Sequence, residues 1–136
     1  KPGEVWIQSY DPANPNLVSL TDHGYGGFTE TEMQHRRTAQ LPPFNVIAML
    51  RADASNSSES ENFLRRLLAI VATFDVEAMG PVSAPLARKS GRFRHQALLL
   101  SRRRSEIKRA LKAIANEGPT QNSVRWSIDV DPIDTF

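Results

Sequence analysis

The chain has 136 residues, 17 Lys and Arg against 15 Asp and Glu, 40% hydrophobic residues and no cysteine. That is enough for one domain with a real core, or for one domain and a piece of another, and a net charge of +2 confines any affinity for nucleic acid to a local patch. A disulfide framework and thiolate metal sites are excluded, His23, His35 and His95 lack ligand spacing, so no metal is expected, and no apolar run approaches the ~18 residues of a membrane span.

The opening Lys1-Pro2-Gly3 lacks an initiating methionine, and the chain is expected to be soluble, intracellular and a fragment of something longer. Residues 5–10 alternate as a strand, which Asp11-Pro12-Ala13-Asn14-Pro15 breaks because proline cannot donate to a ladder. A short helix is expected around residues 16–22, then a loose His23-Gly24-Tyr25-Gly26-Gly27. Thr29 with Glu32 three residues on gives a capping-box signature for a helix to about Thr38. Its mostly polar face suits a connector leaning on a neighbour. Leu41-Pro42-Pro43 ends it, and the domain boundary is placed within residues 24–43.

From Phe44 the pattern is a compact α+β unit. Residues 44–50 are apolar on both parities and predict a central strand. After a polar loop, Ser58 with Glu61 predicts a capped helix carrying Phe63, Leu67, Ile70, Val71 and Phe74 on one stripe. Residues 76–85 hold Met79-Gly80-Pro81-Val82, a strand interrupted by proline and so at an edge or bulged, and Arg88-Lys89-Ser90-Gly91 turns it around. A strand over residues 92–100 follows, then a helix with Ser101 as N-cap and Gly118-Pro119 as its stop. Val124, Trp126, Ile128 and Val130 alternate in a last strand. The order β-α-β-β-α-β is that of ferredoxin-like folds, an antiparallel sheet with both helices on one face.

Residues 86–109 carry nine of the seventeen Lys and Arg and the single acid Glu106. Arg92, Arg94 and Gln96 alternate with Phe93, His95 and Ala97, so one strand face is cationic and the other packs. Arg102, Arg103 and Arg104 are expected in the first helical turn, where cations oppose the macrodipole and invite a functional reason, an anion receptor. The hairpin and helix-start clusters are expected to meet at one short turn. The plain alternative is a solvated basic face.

No phosphate-binding loop or nucleophile elbow occurs. Asp129 and Asp131 share a strand face but suit an exposed strand end more than a cation site. His95 reads as a satisfied core histidine. Trp6 and Trp126 read as packing residues, while Phe93 between two arginines leaves base stacking open.

These residues carry a resemblance. Gly3-Glu4-Val5, Arg36-Arg37 before Leu41-Pro42-Pro43-Phe44, Met79-Gly80-Pro81-Val82 with Ala84-Pro85-Leu86, Gly91-Arg92-Phe93-Arg94-His95-Gln96 and Ile128-Asp129-Val130-Asp131-Pro132 occur in the order of the carboxy-terminal end of the primosomal protein N′ family. These are bacterial replication-restart DNA helicases, and the likeness spans essentially the whole chain. It implies that residues 1–24 are the tail of the second helicase lobe, 25–43 a helical connector and 44–136 the C-terminal domain. ATP, magnesium and zinc belong to upstream parts of the parent, an ATP-dependent 3′-5′ helicase of the bacterial cytoplasm and nucleoid, and this piece should not hydrolyse ATP alone.

The implied partners are forked or single-stranded DNA, the acidic tail of single-stranded-DNA-binding protein and other primosome proteins, with no membrane. Two readings of the basic stretch follow. Arg88, Lys89, Arg92 and Arg94 would hold DNA phosphates, and Arg102, Arg103, Arg104 and Lys108 would dock the tail. In the family an arginine at the start of the last helix contacts that tail and corresponds to Arg104. A glutamine of some relatives corresponds to Lys108, whose ammonium also suits a carboxylate. The competing reading is a structural brace between helicase lobes with no ligand of its own.

Overall fold

The computed structural model describes residues 3–117 and 123–133 and divides into two units, Lys1–Gln40 and Leu41–Phe136. The first unit is built on α1 (Pro15–Thr38), which starts at Asn14, whose Oδ1 accepts from the Asn16 N–H at 3.0 Å, with Pro15 preset for the first turn. Gly24, at φ 68° and ψ −168°, kinks it. Side chains at the start of the first half reach the second: Asn16 Nδ2 donates to Glu32 at 3.1 Å, and the Ser19 and Thr31 hydroxyls lie 3.5 Å apart. At Gly27 a Cβ would lie 2.4 Å from the Cβ of His23, so only glycine fits there.

Four expectations are corrected in this unit. Thr29 is inside the helix and its hydroxyl donates to the Gly26 carbonyl at 2.8 Å, so it caps nothing, and Glu32 pairs with Arg36 at 2.7 Å. Only Gly24, not all of residues 23–27, leaves helical geometry. Residues 5–10 form no strand, because a ladder needs a partner and none pairs with them among the described residues. Val5 and Trp6 are therefore 87% and 89% exposed, and Trp6 is not a packing residue in this unit.

The second unit has β1 (Val46–Ala54), α2 (Ser57–Val71), β2 (Glu77–Lys89), β3 (Arg92–Ser101), α3 (Arg104–Ala115) and β4 (Arg125–Val130). The sheet order is β2-β3-β1-β4 with every neighbouring pair antiparallel, the ferredoxin-like α+β arrangement expected. Ala48, Leu50 and Ala52 of β1 stand opposite Leu99, Ala97 and His95 of β3, and on this face they meet Phe63, Leu64, Leu67 and Val71 of α2 and Ile107, Ala110 and Ile114 of α3. The core is therefore one layer between sheet and helices. Trp126 and Ile128 close its β4 side, with the Trp126 and Phe63 rings edge to face at 5.5 Å.

His95 is buried, as its strand parity predicts, and its Nδ1 is 2.8 Å from the Ser60 hydroxyl. β2 is the expected edge strand, and its register slips between Met79 and Val82 and again between Ser83 and Arg88. Gly80 at φ +107° sits at the first slip, where a Cβ would lie 3.0 Å from the Gln96 carbonyl oxygen. Ser90 (φ 50°) and Gly91 (φ 77°) make a two-residue hairpin loop with both φ positive, the twist-matched turn for adjacent antiparallel strands.

Both helix starts lie away from the expected caps. α2 is capped by Asn56, whose Oδ1 accepts from the Ser58 N–H at 3.0 Å, and Glu61 turns to Arg65 at 2.6 Å. α3 begins at Arg104 after an N-cap, Arg103, with no side-chain cap bond. Ser101 ends β3; its hydroxyl donates to the Asp75 carbonyl at 2.9 Å and accepts from the Arg103 N–H at 3.2 Å. Only Arg104 of the three arginines is thus in the first turn. The expected stop at Gly118-Pro119 lies outside the described residues.

Candidate nucleic-acid interface

The two helices cover one face of the sheet, and alternate residues of every strand point to the other. Antiparallel register sorts that second face into rows. Arg94 of β3, Asp53 of β1 and Arg125 of β4 stand side by side in one row, and Gln96, Arg51 and Ser127 in the next. A cleft of about 210 Å³ opens here between Arg51, Asp53, Arg94, Arg125 and Ser127. The row after that is apolar over β2, β3 and β1, with Met79, Leu98 and Met49 in line, and ends on β4 at Asp129, which Arg51 holds.

The arginines differ in how they are held. Arg92 is spent on structure: its guanidinium pairs with the Asp53 carboxylate and donates to the carbonyls of Asp53 at 2.8 Å and Ser123 at 2.6 Å. Arg51 pairs with Asp129 at 2.7 Å across the β1–β4 ladder. Arg94 and Arg125 form no ion pair with any described residue, and Asp53 between them is already held by Arg92. Two uncommitted guanidiniums thus flank a neutralised carboxylate, which leaves the row net cationic.

The hairpin tip extends this cationic region. Lys89 is opposite Arg92 on the same face and is exposed. Arg88 lies over the Phe93 ring at 5.1 Å to its centroid, so the ring that left base stacking open already serves a cation. Of the four residues expected on DNA, Lys89 and Arg94 lie on the helix-free face, Arg88 stands opposite Phe93 on the other face, and Arg92 is clamped. Arg51 and Arg125 join Lys89 and Arg94, and only cross-strand register could have found these two, because they lie 41 positions before and 33 after Arg92 in the chain.

The second basic cluster is elsewhere. Arg102, Arg103, Arg104 and Lys108 follow the far end of β3, and a ten-residue strand separates them from the hairpin, about 30 Å at roughly 3.3 Å per residue. The expected meeting of both clusters at one turn is therefore corrected, because an extended strand carries its two ends apart. At this end Arg103 pairs with Asp75 at 2.6 Å and Arg104 with Asp131 at 2.9 Å, both exposed. Arg102 and Lys108 form no ion pair with any described residue. Arg104 and Lys108, four apart on α3, share a helix face. Asp129 and Asp131 are both held by arginines at the strand end.

The family described as the primosomal protein N C-terminal domain matches residues 37–133. Over 98% of its length the chain is 34% identical to the replication restart protein PriA of Haemophilus influenzae, of which it covers 19%. It is 32% identical to PriA of Synechocystis, covering 16% of that protein, and 28% identical to PriA of Bacillus subtilis, covering 17%. The chain thus spans less than a fifth of the length of these relatives. Among solved structures it is similar to the de novo designed protein Foldit4, with a TM-score of 0.52 at 13% identity over 66% of this chain and 99% of that one, a likeness of fold alone.

Proposed function

The chain belongs to the primosomal protein N C-terminal domain family, and from that premise we propose that its second unit is a non-catalytic DNA-binding module of a replication-restart helicase. The observation that carries this reading is the Arg94–Asp53–Arg125 row on the helix-free sheet face, with Lys89 and Arg88 at the adjoining hairpin. Guanidiniums such as those of Arg94 and Arg125, with which no described carboxylate pairs, take phosphate oxygens in bidentate fashion and neutralise backbone charge without reading sequence. Residues 1–24 are read as the tail of the second helicase lobe and 25–43 as a connector. ATP and zinc are assigned to other parts of the parent, since this chain has neither a phosphate-binding loop nor a cysteine.

A fluorescence-anisotropy titration of the 136-residue chain on DNA at several salt concentrations tests the reading. Each single-strand phosphate contact contributes about −0.7 to the slope of log K on log salt, so Arg94→Ala and Arg125→Ala should each flatten it by about that much. Unchanged slopes in both variants sink the proposal, and absence of binding in low salt leaves the structural-brace reading in its place.

A second reading is favoured by Arg102 and Lys108, which form no ion pair with any described residue and lie beside two exposed ion pairs: the α3 entrance docks the acidic tail of single-stranded-DNA-binding protein. Exposed pairs contribute only about 0–1 kcal/mol, so an incoming carboxylate can replace Asp131 on Arg104 at little cost. Arg104→Ala should weaken tail binding by roughly 1.5–3 kcal/mol. Equal affinity counts against it.

A further inference from the structure

Below the arginine rows the helix-free face changes character. Met79, Val82, Leu98 and Leu41 rim a groove of about 240 Å³ whose floor includes Met49, a buried side chain. Met79 and Val82 are 48% and 55% exposed, so large apolar surface is open to solvent where a soluble domain would ordinarily place polar residues. The groove is built by the first slip of β2, where Gly80 and Pro81 leave the ladder. It is smaller than the roughly 300–1,000 Å³ of sites for drug-sized ligands, and suits a single flat ring.

We propose that this groove takes one unstacked base of a single-stranded nucleic acid whose backbone runs along the Arg94–Arg125 row. The inference rests on the DNA-binding reading and names the form of DNA. Its occupant is argued from charge and continuity, because the groove opens on the same face as the arginines and lies four residues from the Arg94–Asp53–Arg125 row along both β3 and β1, about 13 Å. A short stretch of extended strand spans that distance. In a duplex the bases are held inside the stack and do not reach a groove beside the phosphate contacts, whereas an unpaired strand splays them outward. The cations then supply affinity without base preference, and the groove supplies discrimination against paired DNA.

The test compares oligodeoxythymidine with an abasic deoxyribose-phosphate oligomer of equal length and charge, and with duplex DNA, on the full chain and on a Met79→Ser/Val82→Ser variant. Both substituted side chains are exposed, so the fold should be retained, which circular dichroism checks. Aliphatic contact with one base should sit at the low end of what aromatic stacking contributes, so loss of the bases should weaken binding to the parent chain about five-fold. The variant should bind both single strands equally, at the abasic level, with its salt slope unchanged. If the parent binds intact and abasic strands alike while the slope remains steep, the groove proposal is overturned and the DNA reading stands. Tighter binding of duplex than of single strand also overturns it. If no DNA binds at low salt, both fall together.

Discussion

Arg92, the first residue of β3, reaches Asp53 near the end of β1, pairing with its carboxylate and also donating to its carbonyl at 2.8 Å. A third contact, to the Ser123 carbonyl at 2.6 Å, ties in the segment before β4. One guanidinium therefore joins β3, β1 and the segment leading into β4 at the end of the sheet where the candidate interface lies. Removing it leaves a half-buried carboxylate and two carbonyls short of a donor. Arg92→Ala should destabilise the second unit by about 1–3 kcal/mol, and Arg92→Lys should restore little because an ammonium lacks the planar fork. Urea unfolding followed by Trp126 fluorescence, in a Trp6→Phe background, checks this.

Asp129 lies beside the cationic rows, paired with Arg51 at 2.7 Å and 45% exposed. Asp129→Asn removes one negative charge from that face. Exposed pairs are worth about 0–1 kcal/mol, so stability should change by less than that while single-strand affinity rises about two- to three-fold in low salt and converges with the parent in high salt. Anisotropy at two ionic strengths measures it, and unchanged affinity would place the DNA elsewhere.

Ser60 and His95 form a hydrogen-bonded pair inside the core, between α2 and β3. Ser60→Ala strands a buried ring nitrogen and should cost about 1–3 kcal/mol in chemical denaturation, with DNA affinity unaltered because the pair faces the helices. A loss of DNA affinity at full stability would contradict that placement.

The Arg36 hydrogen bond is the main influence on Glu32, and with the Arg36 charge and the Asn16 bond it holds the carboxyl below its ordinary 4.5 against a smaller opposing effect of burial. A carboxyl lowered on folding stabilises above the unfolded value and loses that contribution as pH falls through the folded value. Glu32→Gln should therefore lower the stability of α1 slightly at pH 7 and not at all near pH 2. Helical circular dichroism during thermal unfolding at both pH values reads the difference.

The sheet was largely legible from residue order because strand parity and turn chemistry are local. Ser90-Gly91 can take the positive φ angles a tight hairpin demands, Gly80-Pro81 marks the irregular edge, and His95 keeps the packing parity of its strand. Helix starts were less legible, because Asn56 and Ser58 both have capping side chains within two residues, and only tertiary packing decides between them. At Ser101 the same hydroxyl instead joins β3 to the Asp75 carbonyl. Of the candidate interface, the alternation of Arg92 and Arg94 was legible. The commitment of Arg92 to Asp53 and the arrival of Arg51 and Arg125 beside Arg94 were not, because they follow from pairing between strands distant in the chain.

The straight run of β3 has a thermodynamic corollary. Its ends are held about 30 Å apart, some three Debye lengths at 0.1 M salt, so charge bound at one end is screened from the other. A polyanion seated at the hairpin and a carboxylate seated at the α3 entrance would neither compete nor reinforce each other through space. Their free energies of occupancy would simply add, and the domain would hold both ligands in a ternary complex.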